Sequence, residues 1–226
     1  EQILKLDEKN EFLTQFRSFQ RRIATYGIYN SLAQTLIKLA VPGVPDFYQG
    51  TELWDLSLVD PDNRRPVDYE ERLSFLQEIK RRINTDVISL LSDLWATRHD
   101  GRMKLFLIIQ GLAARQAHRQ VFEEGEYLPL RVEGTYADHV VAFARHYKGT
   151  GIIAIAPRFL TALISPEQDP LSEEVWADTA VVIPKKLRSP WQDCLTDQEL
   201  EDQPRLPVGK ILQSFPVSLL ISANSR

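Results

Sequence analysis

The sequence predicts an α+β chain, helical in its first half and an antiparallel β-sandwich in its second. Three observations carry this reading. Apolar residues recur at helical spacing as far as about His118, and from Gly125 the period shifts towards two. Between the first helical stretch and the next lies one long segment, residues 41–69, with no period at all. The two units are therefore 1–124 and 125–226, with the boundary near Glu124.

Over residues 7–40, Phe12, Phe16, Phe19 and Ile23 are spaced as one helical stripe, and Ile28, Leu32, Leu36 and Leu39 as another. Both stripes read as core. Gly27 between them is expected to separate two helices or to bend one. Asp68 suits an N-cap, with Glu70 and Glu71 in the first turn and Leu73, Leu76, Ile79 and Ile83 along one face, so a helix runs to about Asn84. Thr85 or Asp86 starts a shorter helix to Leu94. Asp100 starts a third, in which Leu105, Ile108, Ile109 and Leu112 align. Strands are expected at 127–132, 139–145, 152–156, 180–183 and 215–221, bounded by Gly, Pro and Asp clusters at hairpin spacing. The prolines and acids of 165–174 and 196–207 read as exposed connections.

Composition narrows the function classes. A chain of 226 residues with 43% hydrophobic content can bury one good core or two small ones. The net charge of -4 is mild and its signs are interleaved, which leaves no basic face for nucleic acid, and no membrane partner is expected. The single cysteine, Cys194, permits no internal disulfide and fits a reducing, cytoplasmic setting; a small, partly buried side chain is its natural role. The only methionine is Met103 and the chain opens on Glu1 within a polar segment, as expected of a trimmed start or a piece of something longer.

Residues 41–69 are the part that looks built to hold a ligand. The apolar run 44–48, ended by Gly50, suits a brief buried strand between turns, although Pro45 argues against a long central one. After it Glu52, Trp54, Asp55, Asp60, Asp62, Asn63, Arg64 and Arg65 follow without period. Ordered loops of this length in compact domains are usually functional, and Phe47, Tyr48 and Trp54 favour order.

The segment Gly43-Val44-Pro45-Asp46-Phe47-Tyr48-Gln49-Gly50-Thr51-Glu52 resembles the G-x-P-x-x-Y-x-G-x-E stretch after the last barrel strand in the α-amylase family of glycoside hydrolases and transglycosidases. Asp60-Pro61-Asp62-Asn63-Arg64-Arg65-Pro66 resembles that family's D-P-x-x-R-R-P loop. The longer string, with Asn30-Ser31-Leu32-Ala33-Gln34-Thr35-Leu36 ahead of it, is most similar to members that isomerise the reducing-end α-1,4 linkage of a maltooligosaccharide or maltodextrin to an α,α-1,1 linkage. A (β/α)8 barrel needs roughly 200 to 250 residues, so the resemblance implies the C-terminal remnant of one (helices, last strand and loop) followed by the β-sandwich. The family's catalytic carboxylates would precede Glu1. No catalytic residue is therefore assigned in this chain, and the rest of the parent barrel is its implied partner.

By the same resemblance Asp60 and Arg64 would hold the glucosyl unit on the non-reducing side of the cleaved bond. Asn63 and Arg65 are weaker candidates, and Tyr48 and Glu52 would shape the barrel floor. A carboxylate and a guanidinium four residues apart suit pyranose hydroxyls, which both donate and accept. The competing role for each arginine is to brace the loop against Asp60, Asp62 or Glu52. A retaining pair of carboxyls about 5 to 5.5 Å apart is conceivable at Asp60/Asp62 or Glu52/Asp55, but the adjacent arginines would keep such acids ionised. His99-Asp100 looks like a transition-state motif, yet it precedes a helix, so Asp100 is expected to cap it. The resemblance implies no metal or organic cofactor. Two other functions remain: another α-glucan hydrolase or transglycosidase of the family, or a non-catalytic carbohydrate-binding module.

Overall fold

The computed structural model describes residues 2–5, 7, 9–58, 60–165 and 167–223; Glu1, Val59 and Pro166 of the readings above lie outside the described residues. Helix α1, Glu11–Ala40, is one unbroken element of 30 residues. The Asn10 side chain accepts a hydrogen bond from the Leu13 N–H (3.0 Å) and caps it. Gly27 does not divide it: a Cβ there would meet nothing within 4 Å, and one internal glycine costs only about 1 kcal/mol. The two stripes part company. Ile28, Leu32, Leu36 and Leu39 are buried, whereas Phe12, Phe16, Phe19 and Ile23 are about half exposed or more. Core burial along α1 begins only at Tyr26, because the sheet and the other long helices among the described residues leave its first turns uncovered.

Helices α2 (Tyr69–Ile83) and α3 (Val87–Ala96) start where the sequence places them. Asp68 accepts from the Glu71 N–H (2.9 Å) and Asp86 from the Ser89 N–H (3.1 Å). Helix α4 (Arg102–Ala117) differs from expectation in two ways. Its N-cap is Gly101, at φ 86°, and Asp100 closes a short 3-10 turn while its carboxylate accepts the Arg102 N–H (2.9 Å). It also buries Met103, Phe106 and Leu107 as well as Leu105 and Ile108, with Leu112 exposed. Packing against α1, α2, α3 and α5 (Arg119–Glu124) surrounds it, so no single stripe describes its core face.

Strands follow from Glu126. One sheet has the order β1 (Glu126–Pro129), β3 (Val140–Tyr147), β4 (Thr150–Pro157), β9 (Ser218–Ser222), β6 (Trp191–Asp193), β7 (Glu199–Leu200). The other has β2 (Val132–Glu133), β5 (Ala180–Val182), β8 (Arg205–Pro207), and every pairing is antiparallel. β3 and β4 form a hairpin, Tyr147 facing Thr150, across Lys148 and Gly149, both at positive φ as a two-residue turn requires. The expected strand at 127–132 is split: Leu130 donates to Ala142 in one sheet, while Arg131 accepts from Val182 in the other. The stretch 196–207 is not merely an exposed connection, since it contains β7 and β8 with Leu200 and Leu206 buried. Strands of two or three residues among acids and prolines have no period to read.

β4 is buried along nearly its whole length, with α1 packed against it and α5 against β3, so it reads as a continuous apolar run rather than an alternation. One apolar cluster runs from Tyr26 through α4 to Leu220 and crosses the junction between helices and strands without a gap. The Phe106 and Phe215 rings meet across that junction at 5.5 Å. The thiol of Cys194, on a residue whose N–H donates to Leu219, is pushed well up by burial, as suits an inert side chain.

Asp193 on β6 is 1% exposed, and its Oδ1 accepts the Leu195 N–H at 2.8 Å. Burial pushes its carboxyl up to about 6, against the opposing pull of the Ser218 hydroxyl and nearby backbone N–H groups. The folded state therefore keeps a proton that the unfolded state has lost between about pH 4 and that value. Stability contributed by this group is full below the unfolded pKa and is lost as pH rises through the folded one. The urea midpoint of Asp193→Asn should accordingly show a shallower fall than wild type across this window; parallel curves would exclude Asp193 as the titrating group.

Candidate functional site

The loop between α1 and α2 is pinned along its first half. Lys38 donates from Nζ to the Asp46 carbonyl (2.9 Å) and lies over the Phe47 ring at 3.8 Å. Arg72 on α2 bonds the Gly50 and Asp68 carbonyls (2.8 and 2.9 Å) and the Glu52 carboxylate (3.2 Å). Lys104, buried at the start of α4, donates to the Leu53 carbonyl at 3.1 Å, and the Trp54 indole N–H to the Arg98 carbonyl at 2.8 Å. Burial lowers the Lys104 pKa. Residues 44–48 form no strand, and Val44 is almost fully exposed. A strand needs a neighbour to complete its ladder, and none of the described strands runs beside this segment.

The second half projects. Leu56 and Leu58 are about 90% exposed, and the turn is organised by its own charges. Asp55 accepts the Ser57 N–H (2.9 Å) and Asp62 the Leu58 N–H (3.0 Å). A cis bond joins Asp60 to Pro61, a 3-10 turn covers Asp62–Arg64, and Arg65 pairs with Asp62. Arg64 grips Asp60 in two parallel bonds, Nε to Oδ1 at 2.8 Å and Nη2 to Oδ2 at 2.5 Å. Both side chains remain more than half exposed. The two bonds use Nε and Nη2, which leaves the Nη1 hydrogens and further carboxylate lone pairs as donors and acceptors of the kind vicinal hydroxyls can use.

The six residues singled out by sequence fall into two groups. Asp60, Asn63, Arg64 and Arg65 come together on one turn, and the Asn63 Oδ1 is buried without a partner. Glu52 and Tyr48 sit in the pinned half, where Glu52 is committed to Arg72 and the Tyr48 ring is half exposed. The arginines do brace the loop, and for Arg64 that leaves binding capacity over. The Asp55 carboxyl is held below its usual range, chiefly by hydrogen bonds from Ser57, the wrong direction for a proton donor. Asp100 is tied to Arg102.

Sequence reasoning missed a cleft of about 770 Å³ between the middle of α1 and this loop, bordered by Phe16, Phe19, Ile23, Trp54, His99 and Lys104. Its only signal was the aromatic stripe of α1, which reads equally well as core. Gly101 follows Asp100 at the edge of the cleft: at φ 86°, a Cβ there would stand 2.9 Å from the Trp54 backbone nitrogen. Gly101→Ala should lower stability by roughly 1 to 3 kcal/mol and loosen the Trp54 contact; an unchanged urea midpoint and Trp fluorescence would count against this. Among the described residues no group of three or more His, Cys, Asp or Glu could hold a metal ion, and no helix is long and apolar enough to cross a membrane.

No family model matches the chain. A curated protein of Mycobacterium tuberculosis, named a putative maltooligosyl trehalose synthase, is 35% identical over 196 residues, which is 87% of this chain. The chain is similar to one part of the maltooligosyltrehalose synthases. It spans about a fifth of that curated maltooligosyltrehalose synthase, at 21% of its length. Among solved structures, a point mutant of maltooligosyltrehalose synthase from Arthrobacter ramosus superposes with a TM-score of 0.73 at 30% identity, over 96% of this chain and 25% of the synthase. The unmutated synthase from the same organism gives 0.67 at 29%, over 97% and 25%.

Proposed function

We propose that this chain is the C-terminal part of an α-amylase-family glucosylmutase, a maltooligosyltrehalose synthase of trehalose biosynthesis. The whole enzyme converts the reducing-end α-1,4 linkage of a maltooligosaccharide to an α,α-1,1 linkage in the cytoplasm. Residues 1–124 are the end of its catalytic barrel with the C-terminal helices, and 125–226 its β-sandwich domain. The observation that carries this reading is the exposed Asp60–Arg64 pair, projecting on a pinned loop within a chain that is 35% identical to a named synthase over 196 residues. Two further features support it: segment 44–48 has strand composition but no strand beside it among the described residues, and the first stripe of α1 is uncovered. Both are what the last strand and last helices of a barrel would look like without their neighbours.

In this reading a carboxylate outside the chain attacks the terminal linkage, the released glucose stays bound, and its anomeric hydroxyl takes the glycosyl group back. Asp60 and Arg64 hold the glucosyl unit on the non-reducing side, helped by Asn63 and Arg65. Tyr48 and Glu52 shape the floor beneath. The pinned loop would keep water from the covalent intermediate. The chain alone is inactive.

The test follows reducing ends and free glucose together while the full-length gene product acts on maltohexaose, with this chain as control. Falling reducing ends with little glucose is the expected result. Rising reducing ends with shorter sugars would make the parent a hydrolase, and turnover by the chain alone would overturn its assignment as a non-catalytic part. The aromatic cleft beside Trp54 favours one second reading, a carbohydrate-binding module, which glucan binding by the chain without any active parent would support.

A further inference from the structure

The substrate loop leaves α1 at Val41, and two arginines from distant parts of the chain converge on that point. Arg115, in the last turn of α4 and half-buried, donates from Nη1 to the Leu39 carbonyl (2.7 Å) and from Nη2 to the Gly43 carbonyl (3.0 Å). It thus spans the end of the helix and the first turn of the loop. Arg145 comes from β3 and is only 2% exposed. Its Nε and Nη2 both bond the Gly125 carbonyl (3.2 and 2.8 Å), and Nη1 reaches the Ala40 carbonyl at 3.5 Å. Gly125 is where the helices give way to strands, and a Cβ there would stand 2.2 Å from the Val121 carbonyl oxygen.

Every one of these bonds goes to a backbone carbonyl. Burying a guanidinium with no carboxylate in contact is costly, and an apolar side chain of similar size would usually stabilise as well. Burial accordingly pulls both guanidinium groups down, and the Arg115 charge lowers Arg145 further. Two things offset this: the negative end of the α1 dipole, and carbonyls that would otherwise be orphaned at a helix C-terminus. What a planar fork adds beyond an apolar plug is direction. By holding Leu39 and Gly43 on two nitrogens of one rigid group, Arg115 leaves the chain a single path out of the helix. Arg145 ties that path to the β half.

We propose that Arg115 and Arg145 are positioning residues for the substrate loop, fixing its exit from α1 and hence where Asp60 and Arg64 stand. The role given to Asp60 and Arg64 rests on the function proposed above; the control of loop geometry does not. The β half then acts on the substrate only indirectly, through the Arg145 guanidinium and the backbone carbonyls it holds.

Hydrogen exchange on this chain tests the geometric claim. Arg115 is only half-buried, so Arg115→Met spares the core. The hydrogen-bonded amides of Val41 and Thr51, which donate to the Ile37 and Tyr48 carbonyls, should exchange at least roughly tenfold faster, the scale of a lost charge-assisted bond, while those of β3 and β4 keep their rates. Arg115→Lys keeps the charge but not the fork and should behave like Arg115→Met. Arg145→Met should reproduce the pattern. Unchanged loop exchange, a wild-type result for Arg115→Lys, or equal acceleration along the whole chain would each overturn the proposal. In the full-length parent, Arg115→Met should raise KM for maltohexaose roughly tenfold with little change in kcat, because saturating substrate draws the loop back into place. A parent that forms no α,α-1,1 product would remove the proposed function and leave the exchange result standing.

Discussion

Asp60→Ala in the full-length parent will cost on the order of 100-fold in kcat/KM on maltohexaose, a loss typical of misplaced substrate, while hardly moving the urea midpoint. The two readouts diverge because the Asp60–Arg64 pair is more than half exposed, and exposed ion pairs contribute between zero and about 1 kcal/mol to stability. Arg64→Ala should behave alike, because each residue presents the other as well as gripping a hydroxyl itself. Their double variant should cost much less than the product of the single losses. If Asp60→Ala instead retains near-normal turnover, the pair only braces the turn.

The largest stability effect is expected at Phe106→Ala. The ring is fully buried and packs on Phe215 at 5.5 Å, where α4 meets the segment leading into β9. Truncating a buried Phe costs about 3 to 5 kcal/mol through lost transfer energy and the cavity left behind. Since the apolar cluster is continuous across this contact, helical and strand signals should lose stability together in urea. Separate transitions for helix and strand, or a shift under about 1 kcal/mol, would show that the ring contributes far less than its burial implies.

Much of this architecture was legible in the sequence where local chemistry decides it. Asp68 and Asp86 cap helices because a side chain and an N–H three residues on suffice, and β3 and β4 show in the apolar runs 139–145 and 152–156. Failures occurred where neighbours decide. The stripe that holds Phe12 and the stripe that holds Leu32 cannot be told apart by period: α1 packs on β4 and α4 where Leu32 is fully buried, while Phe12 is left half exposed. Segment 44–48 has strand composition without a strand beside it. β7 and β8 are too short to show a period, and exist because β6 and β5 are there to pair with them. At the candidate site, the pairing of Arg64 with Asp60 is the bracing contact that their spacing allowed, while the grip on a sugar was an expectation of the resemblance. The part played by Arg115 and Arg145 was invisible, since a bond from a side chain to a carbonyl 72 or 105 residues away leaves no trace in spacing.

The strand order has a bearing on biosynthesis. β9, which follows every other strand in sequence, lies between β4 and β6. While the chain emerges from the ribosome, the β3–β4 hairpin can close early, but its apolar β4 edge stays open and β6–β7 has nothing to join until residues 218–222 arrive. Nascent chains stalled before that point should carry an unsatisfied, aggregation-prone edge, making β9 the strand on which the whole sheet waits.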